Sequence, residues 1–290
     1  MNTNGLRIAS DFEFAKQIKA SGVQLVLSLD TLDRENSIKI HGADISKRKL
    51  KTLEVLEQLD IPTTILSVCI KDVNELEVAD FVDTYIRKSF VKSITIQNMT
   101  FTGKNGSNFY PRKHISIDEV ELVIAEKTDF SQDDFFPLAS YHPLCYSVAY
   151  YIVSNNKVIP LSKIIDKQLL VNATENLYYM EPDSDLSKNF ITGINKLWAE
   201  GYDEDIIDEL KRILKQLYPS GKEISNEERK EILEKIIKSI YIHSHMDADN
   251  FDIDRVCRCG DVVPDETGKM IPACSYNLIY RQKDDRFWTE

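Results

Sequence analysis

No apolar run in these 290 residues approaches the roughly 18–20 that a membrane-crossing helix needs. The opening residues, MNTNGLRIASDFEF, lack the basic-then-apolar pattern of a secretory leader. A cytoplasmic protein with no transmembrane segment is expected. A Gly-x-x-x-x-Gly-Lys phosphate loop, Gly-x-Gly-x-x-Gly, His-Glu-x-x-His and Gly-x-Ser-x-Gly are all absent. Nucleotide hydrolysis, Rossmann redox chemistry, zincin proteolysis and serine hydrolysis therefore lack support. Positive charge is short: 36 Lys and Arg face 47 Asp and Glu, for a net charge of −11. That balance argues against nucleic acid as a partner and against docking on anionic lipid by charge alone. Internal repeats and low-complexity tracts are missing too. Cysteine is scarce and odd in number, five in all. In a reducing compartment such residues bind metal or do chemistry more often than they form disulfides.

What is present points to a packed α/β core. Hydrophobic residues make up 42% and charged residues 29%, a globular balance rather than a disordered one. Ser10–Ala20 reads as a helix capped by Ser10 or Asp11, and Gly22 follows its end. Leu25–Leu29 reads as a strand, Ser46–Leu59 as an amphipathic helix, and Ile65–Ile70 as a strand. Glu75–Lys88 reads as a helix and Ser93–Gln97 as a third strand. Alternation at ~30–40 residues is the spacing of right-handed β-α-β units on a parallel sheet. Ser116 to Glu119 forms a capping box that opens a helix to about Lys127. Tyr146–Pro160 is expected to hold a strand pair turning at Asn155–Asn156. Asp203–Leu217 and Ser225–Ser239 read as helices. A soft boundary is expected near residue 128. Three parallel strands are too few to close a barrel, and Leu25–Leu29 would leave an apolar edge. Another polypeptide supplying strands, or a start inside a longer domain, would each account for this.

Two motifs then carry a resemblance. Thr3-Asn4-Gly5, followed by Ser28-Leu29-Asp30-Thr31-Leu32-Asp33, resembles the ends of the third and fourth strands of radical S-adenosylmethionine enzymes. The stretches HSHMDADNFDIDRVCRC, PDETGKMIPACSYNLIYR and FFPLASYHPLCYS resemble one branch of that family. The branch includes tetraether lipid synthases and was long described as pterin methyltransferases. The resemblance implies that residues 1–128 are the C-terminal half of a β/α barrel. It implies that residues 129–290 are a mixed, mostly helical domain for an auxiliary metal and for substrate. It also implies that Thr3, Asn4, Ser28, Asp30, Ser67 and Gln97 line the S-adenosylmethionine side. Turn closure and helix capping use the same residue types, and for Ser67 they are the simpler account.

The family's Cys-x3-Cys-x2-Cys loop, which binds the catalytic 4Fe–4S cluster, is not in the sequence. Its Gly-Gly-Glu-Pro stretch is missing as well, and Ala139-Ser140 stands where the branch has an earlier cysteine. A fragment or a late start codon is the expected reason, so this chain alone is expected not to cleave S-adenosylmethionine. Cys257, Cys259 and Cys274 are set among turn-forming Gly260, Pro264, Gly268 and Pro272. With Cys145 they form a candidate auxiliary site for an iron–sulfur cluster or a rubredoxin-like iron, with zinc as the alternative. His243-Ser-His245-Met-Asp247 lacks the next histidine of a metallo-hydrolase and is expected to be structural, or to support ligands from behind. Cys69 reads as core. Tyr146, Tyr150, Tyr151, Tyr178, Tyr179 and Trp198 read as core, or as the lining of an apolar tunnel.

The expected function is the C-terminal part of a radical S-adenosylmethionine enzyme. Its substrate would be apolar, conceivably a lipid, and the reaction C–C bond formation or methylation. The alternative is a stand-alone iron or zinc module, or one subunit of a split enzyme whose partner chain supplies the other half-barrel.

Overall fold

Alternating apolar positions along the strands decide which face of the sheet is covered. The computed structural model describes residues 1–106, 109–175, 184–284 and 286. Its strands are β1 (Asn2–Thr3), β2 (Leu25–Ser28), β3 (Thr63–Cys69), β4 (Val91–Asn98), β5 (Phe136–Pro137), β6 (Tyr146–Ser154), β7 (Lys157–Pro160) and β8 (Ile237–His243). They form one sheet in the order β1-β2-β3-β4-β8-β6-β5, with β7 also paired to β6. β1, β2, β3, β4 and β8 are mutually parallel, and β6 runs antiparallel to β8. A hairpin of β9 (Val262–Pro264) and β10 (Met270–Pro272) stands apart.

The three parallel strands expected from the sequence are therefore corrected to five among the described residues. β1 contains Thr3, which the sequence offers only through the strand-end resemblance of Thr3-Asn4-Gly5. The first residues of β8, Ile237–Ser239, fall in the span assigned to the helix Ser225–Ser239, which ends at Ile236 in the fold. Its capping box at Ser225 is formed as expected. No glycine or proline marks the switch at Ile237, whose φ of −85° and ψ of 127° already belong to a strand. β8 forms because the edge of β4 accepts it, which is a tertiary cause that local pattern does not carry. β8 sits between β4 and β6, so the sheet runs unbroken across residue 128.

Leu25, Leu27, Ile65, Ile94, Ile96, Ile240 and Ile242 are all fully buried on one face. They share a core with residues from the helices Phe12–Ala20, Ser46–Leu59, Glu75–Ile86 and Ile117–Lys127. Each such side chain contributes ~1.5–3 kcal/mol on burial. The opposite face carries Ser28, Thr64, Thr95, Gln97 and Tyr241, all only half-buried. Toward β6 that face is covered by a second core, in which Val148, Tyr150 and Ile152 meet Phe190, Ile194, Leu210 and Ile213. What remains is an open groove of about 890 Å³ whose lining includes Gln24, Thr64, Thr95, Gln97, Tyr241 and His243. No helix among the described residues is long and apolar enough to cross a membrane.

One buried charge in this sheet gives a pH-dependent prediction. Lys238 is 3% exposed, and its Nζ donates to the Lys88 carbonyl. Burial, reinforced by Lys92, lowers its pKa to about 8. The folded value lies below the unfolded one, so the penalty is full below about pH 8 and fades toward pH 10.4. Lys238→Met is expected to gain roughly 1–2 kcal/mol at neutral pH, net of the hydrogen bond lost at Lys88. Urea unfolding should show that gain shrinking as pH rises to about 10.

Candidate metal and substrate site

The parallel strands end at one rim, where α/β sheets place ligands. At the β1–β2 end of the rim, most polar atoms already have structural work. Thr3 Oγ1 accepts the Gly5 N–H at 3.0 Å, and Asn4 Oδ1 accepts the Leu6 N–H at 3.1 Å. The register sets Thr3 beside Leu27, on the helix-covered face. Asp30 is 8% exposed, and its carboxylate accepts the Val68 N–H at 2.8 Å with His41 3.6 Å away. Ser67 is fully buried and donates to the Leu29 carbonyl at 2.5 Å. Lys49, 1% exposed, donates to the carbonyls of Ser28 and Asn4 and so fixes the ends of β1 and β2. Burial lowers the Lys49 pKa, against the opposing pull of Asp30. Of the six residues expected around S-adenosylmethionine, Ser28 and Gln97 present side chains on the open face, and Gln97 lines the groove. Cys69 is core, its thiol pushed up to about 12 by burial.

The β8 end of the rim is different, because sulfur and imidazole gather there. Cys145 immediately precedes β6, and its carbonyl accepts the Ser244 N–H just beyond β8 at 2.9 Å. Its Sγ accepts from Arg255 Nε at 3.3 Å, and Arg255 also donates to the Ser244 carbonyl at 2.7 Å. Cys274, 7% exposed, accepts the Met246 N–H at 3.2 Å and has His245 Nδ1 at 3.6 Å. Cys259 lies 3.2 Å from the Asp261 carbonyl. Burial raises the thiols of Cys259 and Cys274. Backbone hydrogen bonds pull the other way: Asp261 and Ala273 at Cys259, Met246 at Cys274. Cys145 bonds Ser244, Cys274 bonds Met246, and Cys259 bonds Asp261, whose carbonyl takes the Ala273 N–H, so hydrogen bonds tie all three cysteines to the end of β8. Cys257 is exposed at the end of the helix Ile253–Cys257, and its thiol has no hydrogen-bond partner among the described residues.

A polar cluster joins this centre to the groove. The rings of Tyr146 and His243 stack at 3.8 Å, and His243 and His245 lie 3.9 Å apart. The Tyr146 hydroxyl donates to Asp261 at 2.5 Å, and His243 Nε2 lies 3.6 Å from the same carboxylate. Burial, with His245 and Arg255 nearby, holds the His243 pKa well below its usual value and keeps the ring neutral. Burial and Asp261 raise the hydroxyl of Tyr146. A Cβ on Gly260 would lie 2.9 Å from the Tyr141 hydroxyl, so glycine permits the loop's approach.

Asp247 belongs to a separate arrangement. It is 1% exposed and accepts the N–H groups of Phe101 and Asp249, each at 3.0 Å, and pairs with His114 at 2.9 Å. His114, Asp247 and Asp249 offer three ligand atoms all within 4.8 Å of one another. Arg112, 3.5 Å from Asp249, offsets their charge, and the Asp247 bonds tie the loop after β4 to the loop after β8. Among the described residues, the sulfur and imidazole atoms of the cysteine centre form no such three-atom group. A single tetrahedral ion would hold its sulfurs about 3.8 Å apart. No three sulfur and imidazole atoms of this centre are gathered that tightly among the described residues.

The sequence reading did not single out Arg255, Asp261 or Tyr141. Arg255 carried a usable signal, a cation two positions before a cysteine in an otherwise acidic stretch. Of the aromatic residues, Tyr151 is fully buried and Trp198 is 68% exposed, while Tyr178 and Tyr179 lie outside the described residues.

No family model matches the chain. It is 23% identical over 325 aligned positions to a 7,8-dihydro-6-hydroxymethylpterin dimethyltransferase of Methanocaldococcus jannaschii, covering 97% of this chain and 61% of that protein. It is 28% identical over 128 positions to a GTP 3',8-cyclase of Aliarcobacter butzleri, covering 44% of this chain and 37% of the relative. The chain thus spans less than two thirds of the length of either relative. Both similarities support the radical S-adenosylmethionine superfamily, the resemblance carried by Thr3-Asn4-Gly5 and Ser28–Asp33.

Proposed function

We propose that this chain forms part of a radical S-adenosylmethionine transferase, with S-adenosylmethionine and substrate in the open groove and an auxiliary iron–sulfur group beside it. The observation that carries the reading is the tethering of Cys145 and Cys274 to the segment Ser244–Met246, with Cys259 tied in through Asp261, next to His243 in the groove lining. Burial, soft donors and N–H groups directed at the sulfurs fit an iron–sulfur group. S-adenosylmethionine, when bound, supplies the methyl group or the carbon-centred radical. The chain's own share is to bind, orient and exclude water. Gln97 and Ser28 are the side chains placed to hydrogen-bond it. No Cys-x3-Cys-x2-Cys occurs in the sequence, so ligands for the catalytic cluster must come from residues other than these, in the same polypeptide or a partner chain.

The groove lining is rich in hydroxyls and amides. That suits a hydrogen-bonding heterocycle, in line with the pterin and nucleotide named for the two relatives. An alkyl chain, for C–C bond formation or methylation of a lipid, is the second reading. The apolar cavity among Leu161, Phe190, Ile213, Leu217, Leu233 and Ile236 measures only about 20 Å³, room for a water and not for such a chain.

Equilibrium dialysis with labelled S-adenosylmethionine tests the groove. Saturable binding is expected, weakened about tenfold by Gln97→Ala as one hydrogen-bonding group is lost. Binding that this substitution leaves untouched, or no binding, contradicts the assignment.

A further inference from the structure

We infer that His245, rather than Cys257, is the fourth protein ligand of the sulfur centre, sharing one metal atom with Cys274. The inference rests on the reading that Cys145, Cys259 and Cys274 hold a metal, and it settles which side chain completes the set.

Three observations separate His245 from Cys257. The first is distance. His245 Nδ1 lies 3.6 Å from Cys274 Sγ. A nitrogen and a sulfur on one tetrahedral metal atom, at ~2.0–2.1 and ~2.3 Å from it, stand about 3.6 Å apart. Two protein ligands on one metal atom is also the pattern of two-iron clusters, where imidazole can replace thiolate. The second is support from behind. The sulfurs of Cys145 and Cys274 accept N–H groups from Arg255 and Met246, and the Cys259 thiol bonds the Asp261 carbonyl. Metal-bound thiolates are held in this way. Cys257 has no comparable contact among the described residues and faces solvent. The third is orientation. The ring of His243 packs against His245 at 3.9 Å, which limits how far the His245 imidazole can swing from Cys274.

Cys257 is exposed because the helix Ile253–Cys257 turns a different side toward the centre. Arg255, on that helix, is 6% exposed and occupies the inward place against Cys145. The Cys-x-Cys spacing therefore misleads. Its second cysteine enters the site, and its first marks only the end of a helix.

The test uses the full chain, reconstituted without oxygen with ferrous iron and sulfide, and with zinc in parallel. Metal per chain and X-ray absorption at the metal edge are read for wild type, Cys257→Ser, Cys145→Ser, His245→Ala and His245→Cys. Wild type and Cys257→Ser should carry equal metal, with a nitrogen scatterer beside sulfur. His245→Ala should lose metal affinity by tenfold or more, and His245→Cys should regain metal with sulfur scattering alone. Metal loss in Cys257→Ser with full retention in His245→Ala would overturn the inference while leaving a cysteine site standing. Wild type that takes up no metal refutes the parent reading and this inference together. If His245→Ala fails to fold, the comparison of Cys257→Ser with His245→Cys still decides.

Discussion

Gly193→Ala is expected to destabilise the protein by about 3 kcal/mol, opposite in sign to the usual effect of that change in a helix. Gly193 lies within the helix Ser184–Ala199, where alanine would ordinarily gain up to ~1 kcal/mol. Here a Cβ would stand 1.9 Å from the Ile164 carbonyl oxygen and 2.7 Å from its carbon. Those are backbone atoms, so no rotamer relieves the clash and the whole helix must retreat. Its buried side chains Phe190, Ile194 and Leu197 would then lose contact with the second core. Urea unfolding measures the change. A variant as stable as wild type, or more so, would show that the helix does not approach the Ile164 turn this closely.

Asp261→Ala is expected to cost roughly 2–4 kcal/mol and to abolish metal retention at the sulfur centre. The Asp261 carboxylate takes the Tyr146 hydroxyl and faces His243, while its carbonyl accepts the Ala273 N–H at 2.8 Å. It therefore fastens the β9–β10 hairpin, with Cys259 before it and Cys274 after it, to the ends of β6 and β8. Removing the side chain takes the carboxylate from the Tyr146 hydroxyl and from His243 and loosens the hold on the loop that carries two of the three sulfurs. Asp261→Asn keeps an acceptor for Tyr146 and should retain most of the stability. Thermal unfolding and metal analysis of both variants check this. An alanine variant that melts as wild type and keeps its metal would remove Asp261 from the account.

Much of the sheet could be read from local pattern. The strand–helix alternation over the first hundred residues was visible because each element buries one face and caps itself. The capping boxes at Ser116 and Ser225 both form. The hairpin turns at Asn155 and Asn156, whose φ values of 49° and 62° suit a two-residue hairpin turn and residues that tolerate the left-handed region. The helix expected over Ser10–Ala20 forms as Phe12–Ala20 with Asp11 as its N-cap, bonding the Phe14 N–H, and a further short helix, Leu6–Ser10, precedes it. β8 was hidden because its parallel partner lies 146 residues away in the chain, from Ile94 to Ile240.

The site was legible at the level of residue type and obscure at the level of direction. Sequence spacing grouped Cys257 with Cys259, but a short helix rotates one out to solvent and leaves the other inward. The resemblance put both Ser67 and Gln97 on the S-adenosylmethionine side, with ordinary capping the simpler account for Ser67. Strand alternation put Ser67 on the covered face and Gln97 on the open one. Arg255 and Asp261 are single charges that acquire meaning only when two distant loops meet at the end of β8.

The claim on which the functional account rests is that the three inward sulfurs hold a metal. It is tested most directly by metal analysis joined to thiol alkylation on wild-type chain prepared without oxygen. The account predicts bound iron or zinc, with Cys145, Cys259 and Cys274 protected from alkylation until a chelator removes the metal, and Cys257 reactive throughout. Metal-free protein in which Cys145 and Cys259 alkylate as readily as Cys257 would contradict it.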